Sequence, residues 1–325
     1  IRDRDVTGVQ TCALPISFVV FSEGDKHLKV YNLDMDTEII KNQVREIEER
    51  KDYTYYYSMK DTLGVDNNIY ITYKMAQNLP KVYVKNELDI YDIDEIRNIA
   101  EKFFDKDIDY IREIIENNGS ILYVYNQRVL KINQNGLLEY FNPLEAPVKE
   151  RNLYISLNTA AEFLSSHIEV PKDMYLAKIE EIDSEESEGY RLTFRYRIRG
   201  IPVILGSDTV EDFIQVDVFN KYVRNYKRFI RKDMKINIQN KSDDNRMLSA
   251  FDIININYDI LEKGYVEDKN IDLEDIDRET IKDDILSSIQ NINIAYLDPC
   301  LKEKEEELIG VWVLQTQDRL YAFDA

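Results

Sequence analysis

The chain has 325 residues, 44% of them hydrophobic and 32% charged, and its 62 acidic against 42 basic side chains give a formal net charge of −20. That length and apolar content suffice for a substantial core shared among two or three domains. The acidic balance argues against nucleic-acid binding, which needs concentrated Lys and Arg against phosphate. Two cysteines and two histidines leave little from which to build a disulfide framework, a cysteine-rich zinc site, or a histidine-based metal site or triad.

The first stretch, Ile1 to Ile16, has a texture unlike anything after it. Val6 to Ile16, VTGVQTCALPI, fits codon for codon the translation of a common sequencing-adapter read, so residues 1–16, Cys12 included, are expected to have no place in the fold. Ser17 to Phe21, SFVVF, is the first credible sequence and is apolar. A membrane-crossing helix needs about 20 predominantly apolar residues, and no such run occurs; the place where an N-terminal anchor would sit is overwritten. The chain stops at Ala325 inside an apparent strand, LYAFDA, and reads as a fragment.

From there the predicted elements follow in order. Asp36 to Arg50 is a charged helix whose Ile39, Ile40, Val44 and Ile47 form one apolar stripe. Tyr53 to Tyr57 is an aromatic run, and Ile69–Lys74 and Lys81–Lys85 read as extended. Asp92 or Asp94 caps a helix with Ile96, Ile99, Ala100, Phe103 and Phe104 on one core-facing side. A second helix is predicted from Ile108 to Asn117, stopped by Gly119. Strands at Ile121–Tyr125, Val129–Ile132 and Leu137–Phe141 form a meander whose turns are Asn126-Gln127-Arg128 and Asn133-Gln134-Asn135-Gly136. Pro143 to Glu150 is the best linker. A helix at Ser156–Ser166 precedes a strand at Tyr175–Ile182 and an acidic turn, and Ile214–Phe219 and Val223–Arg231 extend a sheet. Helices at Asn245–Glu262 and Asp277–Ile289, then strands at Asn291–Leu297, Gly310–Thr316 and Arg319–Asp324, close the chain. Helix followed by antiparallel strands, repeated, is an α+β layout. The expected divisions are 17–145, 146–235 and 236–325.

The clearest single stretch is Tyr190 to Gly206, YRLTFRYRIRGIPVILG. Apolar residues from Tyr190 to Ile198 alternate with polar ones, the period of a strand with one buried face. Arg199-Gly200 turns the chain and Ile201–Leu205 returns, giving a β-hairpin with Arg191, Arg195, Arg197 and Arg199 on its polar side. Between Arg191 and Lys235 there are eleven Lys or Arg against five Asp or Glu, a net of +6 in a chain of net −20. Two readings are open: acidic groups of this chain, such as Glu180 or Glu181, neutralise the stripe, or it docks an acidic partner.

The order of elements resembles a known family. The acidic N-terminal helix, NLPKVYVKN at Asn78–Asn86 followed by DEIRNIAEKFF, the hairpin YRLTFRYRIRGIPV and the closing IGVWVLQTQDRLYAFDA are similar to the YycH/YycI family, and the closing pair is also similar to PepSY-type modules. The resemblance implies a membrane-anchored, extracytoplasmic accessory protein of low-GC Gram-positive bacteria. Such proteins regulate an essential cell-wall sensor histidine kinase together with a paralogous regulator, through a transmembrane helix and an ectodomain. It implies no catalytic residues; no cofactor and no metal are expected.

Other chemistry is thinly signalled. Asp105, Asp107, Asp109 and Glu116 partly match a calcium loop, but Tyr110 stands where that loop needs glycine, and the carboxylates also suit a helix N-terminus. Glu180, Glu181, Asp183, Glu185, Glu186 and Glu188 are too densely packed in a turn to be a desolvated acid–base pair. His167 reads as a capping or surface residue, Cys300 as a buried structural thiol, and Trp312, Tyr321 and Phe323 as core. The leading expectation is a non-enzymatic regulator at the extracytoplasmic membrane face. The alternative is a secreted or wall-associated binding or inhibitor-type module using the arginine face, and a hydrolase has only generic carboxylates behind it.

Overall fold

The computed structural model describes residues 17–23, 27–33, 38–50, 54–75, 79–184, 186–206, 210, 212–235, 247–270, 278–300 and 305–325. The predicted adapter segment 1–16 lies outside them. The chain divides into two units. The first, residues 1–55 with 74–77, holds an antiparallel pair, β1 (Ser17–Glu23) and β2 (His27–Leu33), and helix α1 (Glu38–Arg50). The predicted stripe of α1 is exposed at Ile39, Ile40, Val44 and Ile47.

The second unit, residues 56–73 and 78–325, carries the remaining elements. In chain order these begin with β3 (Tyr57–Ser58), α2 (Met59–Leu63), β4 (Tyr70–Ile71), β5 (Val82–Asn86), α3 (Ile93–Phe104), β6 (Arg112–Ile115), β7 (Ile121–Tyr125), β8 (Arg128–Ile132) and β9 (Leu138–Phe141). Then come α4 (Leu153–His167), β10 (Tyr175–Asp183), β11 (Glu188–Arg195), β12 (Arg197–Ile198), β13 (Ile201–Leu205), β14 (Ile214–Phe219), β15 (Tyr222–Arg228) and β16 (Arg231–Asp233). The last are α5 (Ala250–Ile256), α6 (Tyr258–Lys269), α7 (Arg278–Ser288), β17 (Ile289–Asp298), β18 (Glu305–Thr316) and β19 (Leu320–Asp324).

Two larger sheets organise this unit. The first runs β10-β11-β14-β15-β9-β8-β7-β6, with every neighbouring pair antiparallel. The second runs β12-β13-β17-β18-β5-β16, with β19 also on β18; β13 and β17 are parallel and the other pairs antiparallel. This is the expected α+β class with mostly antiparallel strands.

Helices α3 and α4 cover the first sheet because their apolar faces match its own. Ile96, Ile99, Ala100, Phe103 and Phe104 of α3 are all buried, as their spacing predicts. The Asp92 side chain accepts a hydrogen bond from Glu95 N at 3.1 Å, capping the helix start. Phe103 and Phe163 pack with Tyr140 and Tyr226 of the sheet at ring separations of 5.1–6.0 Å, within the range where edge and offset contacts between rings are favourable.

Four expectations are corrected. Residues 108–117 are not a helix: a single 3-10 turn at Ile108–Tyr110 gives way to β6, which pairs with β7 from Arg112↔Val124 to Ile115↔Ile121. The β-branched pair Ile114 and Ile115 suits the strand, and Asp105, in a left-handed conformation at φ 51°, has already ended α3. Of the predicted helix 245–262, residues 245 and 246 lie outside the described ones, α5 begins at Ala250, and the helix breaks at Asn257, whose side-chain amide donates to Ile253 O at 3.0 Å and so competes with the helix's own bonding.

The third correction concerns domains. Strand pairing crosses both expected boundaries: β9 pairs β15 across 145/146, and β5 pairs β18 across 145/146 and 235/236. Residues 146–235 are therefore not a compact piece.

The fourth is the arginine hairpin, which is split between the sheets. β11 belongs to the first, and only β12 and β13 form a hairpin, through Arg197↔Pro202 and Ile198↔Ile201. Tyr196 marks the crossing. It is buried edge-on against Phe213 at 4.7 Å, and its hydroxyl accepts from Arg231 N at 3.3 Å. The turn is where it was expected, with Arg199 and Gly200 both at positive φ, 54° and 84°. That pairing gives a two-residue turn the twist of its flanking strands.

Candidate functional site

The arginine stripe finds its partners inside the chain. Arg191 makes two bonds to Asp217 on β14, Nε to Oδ1 at 2.7 Å and Nη2 to Oδ2 at 3.0 Å. Arg195 Nε donates to Asp212 at 2.8 Å, and Arg199 Nε to Asp233 at 3.2 Å. The Arg197 guanidinium sits 4.2 Å from the centre of the Tyr175 ring, a favourable cation–π contact. Glu180 lies opposite Arg191 in register but ion-pairs with Lys178, and Glu181 reaches Arg151. The neutralising carboxylates thus come from later in the chain than the sequence suggests.

The remaining sequence candidates are structural. Asp105 and Asp107 close and open successive turns, and Glu116 pairs with Lys131 at 2.9 Å. Glu181, Asp183 and Glu188 gather on Arg151 in the acidic hairpin. His167 ends α4 half-buried, its Nδ1 bonded to Phe163 O at 2.8 Å and its ring against Phe103 and Phe163. Burial lowers its pKa. Cys300 is partly buried, and desolvation, helped by the Asp298 charge, pushes its thiol up to about 12. Trp312 is buried and donates to Leu248 O at 3.0 Å. Among the described residues no group of three His, Cys, Asp or Glu could hold a metal ion, and no helix is long and apolar enough to cross a membrane.

What the sequence does not disclose is a buried ionic seam where the chain passes from β15 in the first sheet to β16 in the second. Arg228 and Arg231, separated only by Phe229-Ile230, are each 1% exposed at the side chain. Arg228 binds Glu87 with Nε at 2.6 Å and Nη2 at 2.8 Å, and Nη2 also donates to Glu169 O at 2.7 Å. Arg231 Nε donates to Asp298 at 3.1 Å, Nη1 to Asn86 Oδ1 at 2.5 Å, and Nη2 lies 3.0 Å from Glu306. Asp298 and Glu306 are 0% and 2% exposed. Burial raises the Glu306 pKa, Arg231 pulls it down and Asp298 pushes it up further, for a net rise. Two guanidinium groups therefore hold both sheets and the end of β5 in one arrangement.

Asn86 and Glu87, the residues these arginines hold, are also the floor of an open groove of about 850 Å3. One wall is the loop Leu88–Asp92 and the start of α3. The other is formed by the β6–β7 and β8–β9 turns, through Asn118, Asn133, Gln134 and Asn135, and by Glu139 of β9; Lys85 and Lys232 also line the groove. A second hollow of about 310 Å3 shares Glu87, Leu88, Glu95 and Lys232 and continues past Lys102 to His167. The walls are locally fixed. Asp89 Oδ1 accepts from Tyr91 N at 3.1 Å, Asn118 Oδ1 from Ser120 N at 2.9 Å and Asn135 Oδ1 from Leu137 N at 3.1 Å. Gly136 sits at φ 87°, where an added Cβ would meet Asn86 at 3.2 Å, so that turn can lie close over the floor only with glycine. The asparagine-rich turn was legible as a turn; its facing residues lie some 45 positions away in sequence, so the groove was not.

No protein-family model matches the chain, and no curated protein does. Among solved structures, the chain is similar to the crystal structure of an uncharacterized protein from Eubacterium rectale ATCC 33656 at 1.45 Å resolution, with 13% identity and a TM-score of 0.44 over 80% of this chain and 87% of that one.

Proposed function

We propose that this chain is a non-enzymatic recognition module, the extracytoplasmic part of a membrane-anchored regulator of a cell-wall sensor histidine kinase. The groove is the site through which it recognises what it responds to. The observation that carries the recognition role is the groove's floor, where buried arginines immobilise Asn86 and Glu87 and so present a preorganised polar surface at little entropic cost on binding. The cellular role rests on the resemblance to the YycH/YycI family, and two of the segments that carry it, Asn78–Asn86 and the helix DEIRNIAEKFF, lead into this floor and wall. The arginine stripe contributes less to docking, because guanidinium groups already paired with carboxylates have little charge left to offer.

The test is to reconstitute the sensor kinase in membranes with and without this protein and to follow autophosphorylation. A change of at least about twofold, with co-purification of the two, supports the regulator reading. An unchanged rate, or a turnover by this chain that a single carboxylate substitution abolishes in a folded variant, overturns it.

A further inference from the structure

From the chemistry of the groove we infer that its ligand is a neutral, polyhydroxylated chain, an oligosaccharide of several rings. This rests on the groove being the recognition site and is independent of the kinase as partner. Its volume, about 850 Å3, is near the upper end of the roughly 300–1,000 Å3 of small-molecule sites, more than a single sugar ring needs.

The lining offers donors and acceptors side by side. The amide oxygens of Asn86, Asn118 and Asn135 are each occupied, by Arg231, Ser120 N and Leu137 N. With their oxygens so held, Asn118 and Asn135 keep their NH2 groups as donor capacity for a ligand, while the Asn86 amide lies under the Gly136 turn. Asn133 is held the other way, its NH2 bound to Glu139 Oε2 at 3.0 Å and Leu137 O at 3.2 Å, which leaves its oxygen as an acceptor beside the Glu139 carboxylate. Asp92 and Glu95 add acceptors on the opposite wall. Hydroxyl groups, which donate and accept at once, satisfy such alternating edges, and neighbouring hydroxyls on a ring satisfy an amide–carboxylate pair together.

The charges argue against an ionic ligand. Five carboxylates, Glu87, Asp89, Asp92, Glu95 and Glu139, disfavour phosphates or nucleotides, while Lys85 and Lys232 in the same walls oppose a polycation. Four of the carboxylates are already engaged: Glu87 by Arg228, Asp89 by Tyr91 N, Asp92 by the α3 cap and Glu139 by Asn133. Tyr91 supplies the flat apolar element. It is 79% exposed on the loop wall, with its backbone fixed by Asp89, and a ring so placed can stack on the C–H face of a sugar.

The test is calorimetric titration of the whole chain with cellotetraose, maltotetraose and chitotetraose. At least one is expected to bind, with affinity changing less than about twofold between 0.05 and 0.5 M NaCl, since no net charge is neutralised. Tyr91→Ala and Asn135→Ala should each weaken it about tenfold, the effect of losing one stacking contact or one well-placed hydrogen bond. Tyr91 is exposed and Asn135 is half-buried in its turn, and an unchanged melting temperature shows that the fold is intact. No binding by any of the three, binding indifferent to both substitutions, or preferential binding of tetralysine with steep salt dependence would each overturn the inference. A kinase that still responds to the chain in that event leaves the regulator reading standing.

Discussion

Replacing Arg231 by methionine, which is similar in length and carries no charge, isolates the seam's contribution. The substitution leaves Asp298 and Glu306, 0% and 2% exposed, facing each other without their cation, and frees Asn86 Oδ1 of its donor. Removing one partner from a buried ion pair costs about 3–5 kcal/mol, chiefly because of the charge left behind. With a urea m-value near 3 kcal/mol/M, the unfolding midpoint should fall by about 1–1.7 M. The single buried Trp312 provides the fluorescence signal. The deficit should depend on pH in one direction. Burial already holds Glu306 above its ordinary value, and losing Arg231 removes the charge that pulls it down, so the protonated Glu306 is favoured in the fold. The stability that protonation of Glu306 provides is full below its unfolded pKa, near 4.5, and is lost as pH rises through its raised folded value. The variant should therefore lag the parent most at pH 8 and least near pH 5, and adding Glu306→Gln should recover part of the loss at pH 8. A midpoint shift under about 0.3 M, or a deficit that grows as pH falls, would refute the reasoning.

Three further outcomes are expected. Gly189→Ala should destabilise by about 1–3 kcal/mol, because the new Cβ would lie 2.6 Å from Val218 O and 2.8 Å from Phe219; an unchanged melting temperature would contradict the packing of β11 on β14. In a Cys12→Ser background Cys300 should resist Ellman's reagent at pH 8 in the folded protein and react once urea is added, since a thiol raised to about 12 carries almost no thiolate; rapid reaction of the native protein would oppose this. His167 has a lowered folded pKa, so its contribution to stability is present above the unfolded value of about 6.5 and lost as pH falls. His167→Gln should thus flatten the fall in melting temperature between pH 7 and pH 5, and an identical slope in both proteins would remove His167 as its source.

The elements most readable in the sequence were those in which local pattern and tertiary role coincide. The α3 stripe, the meander and the Arg199-Gly200 turn are all where spacing and turn chemistry place them. Residues 108–117 misled because their isoleucines fit a helix stripe and an edge strand equally, and only pairing with β7 decides between them. The split of the arginine strand was hidden because alternation persists through Tyr196 while the hydrogen-bonding partners change. The same limit applies to charge. Arg191, Arg195 and Arg199 read as a basic face until Asp217, Asp212 and Asp233 are brought beside them from 17 to 34 residues away. The groove is hidden more deeply, since Arg228 meets Glu87 and Arg231 meets Asn86 across separations of 141 and 145 residues.

Whether recognition runs through the groove or through the arginine stripe is decided by sensor-kinase output in cells. Two variants are compared at equal protein abundance: Tyr91→Ala with Asn135→Ala in the groove, and Arg195→Gln with Arg197→Gln in the stripe. The groove variant should shift kinase output as far as deletion of the protein does, while the stripe variant should stay at the parental level. A parental output from the groove variant together with a deletion-like output from the stripe variant would contradict recognition through the groove.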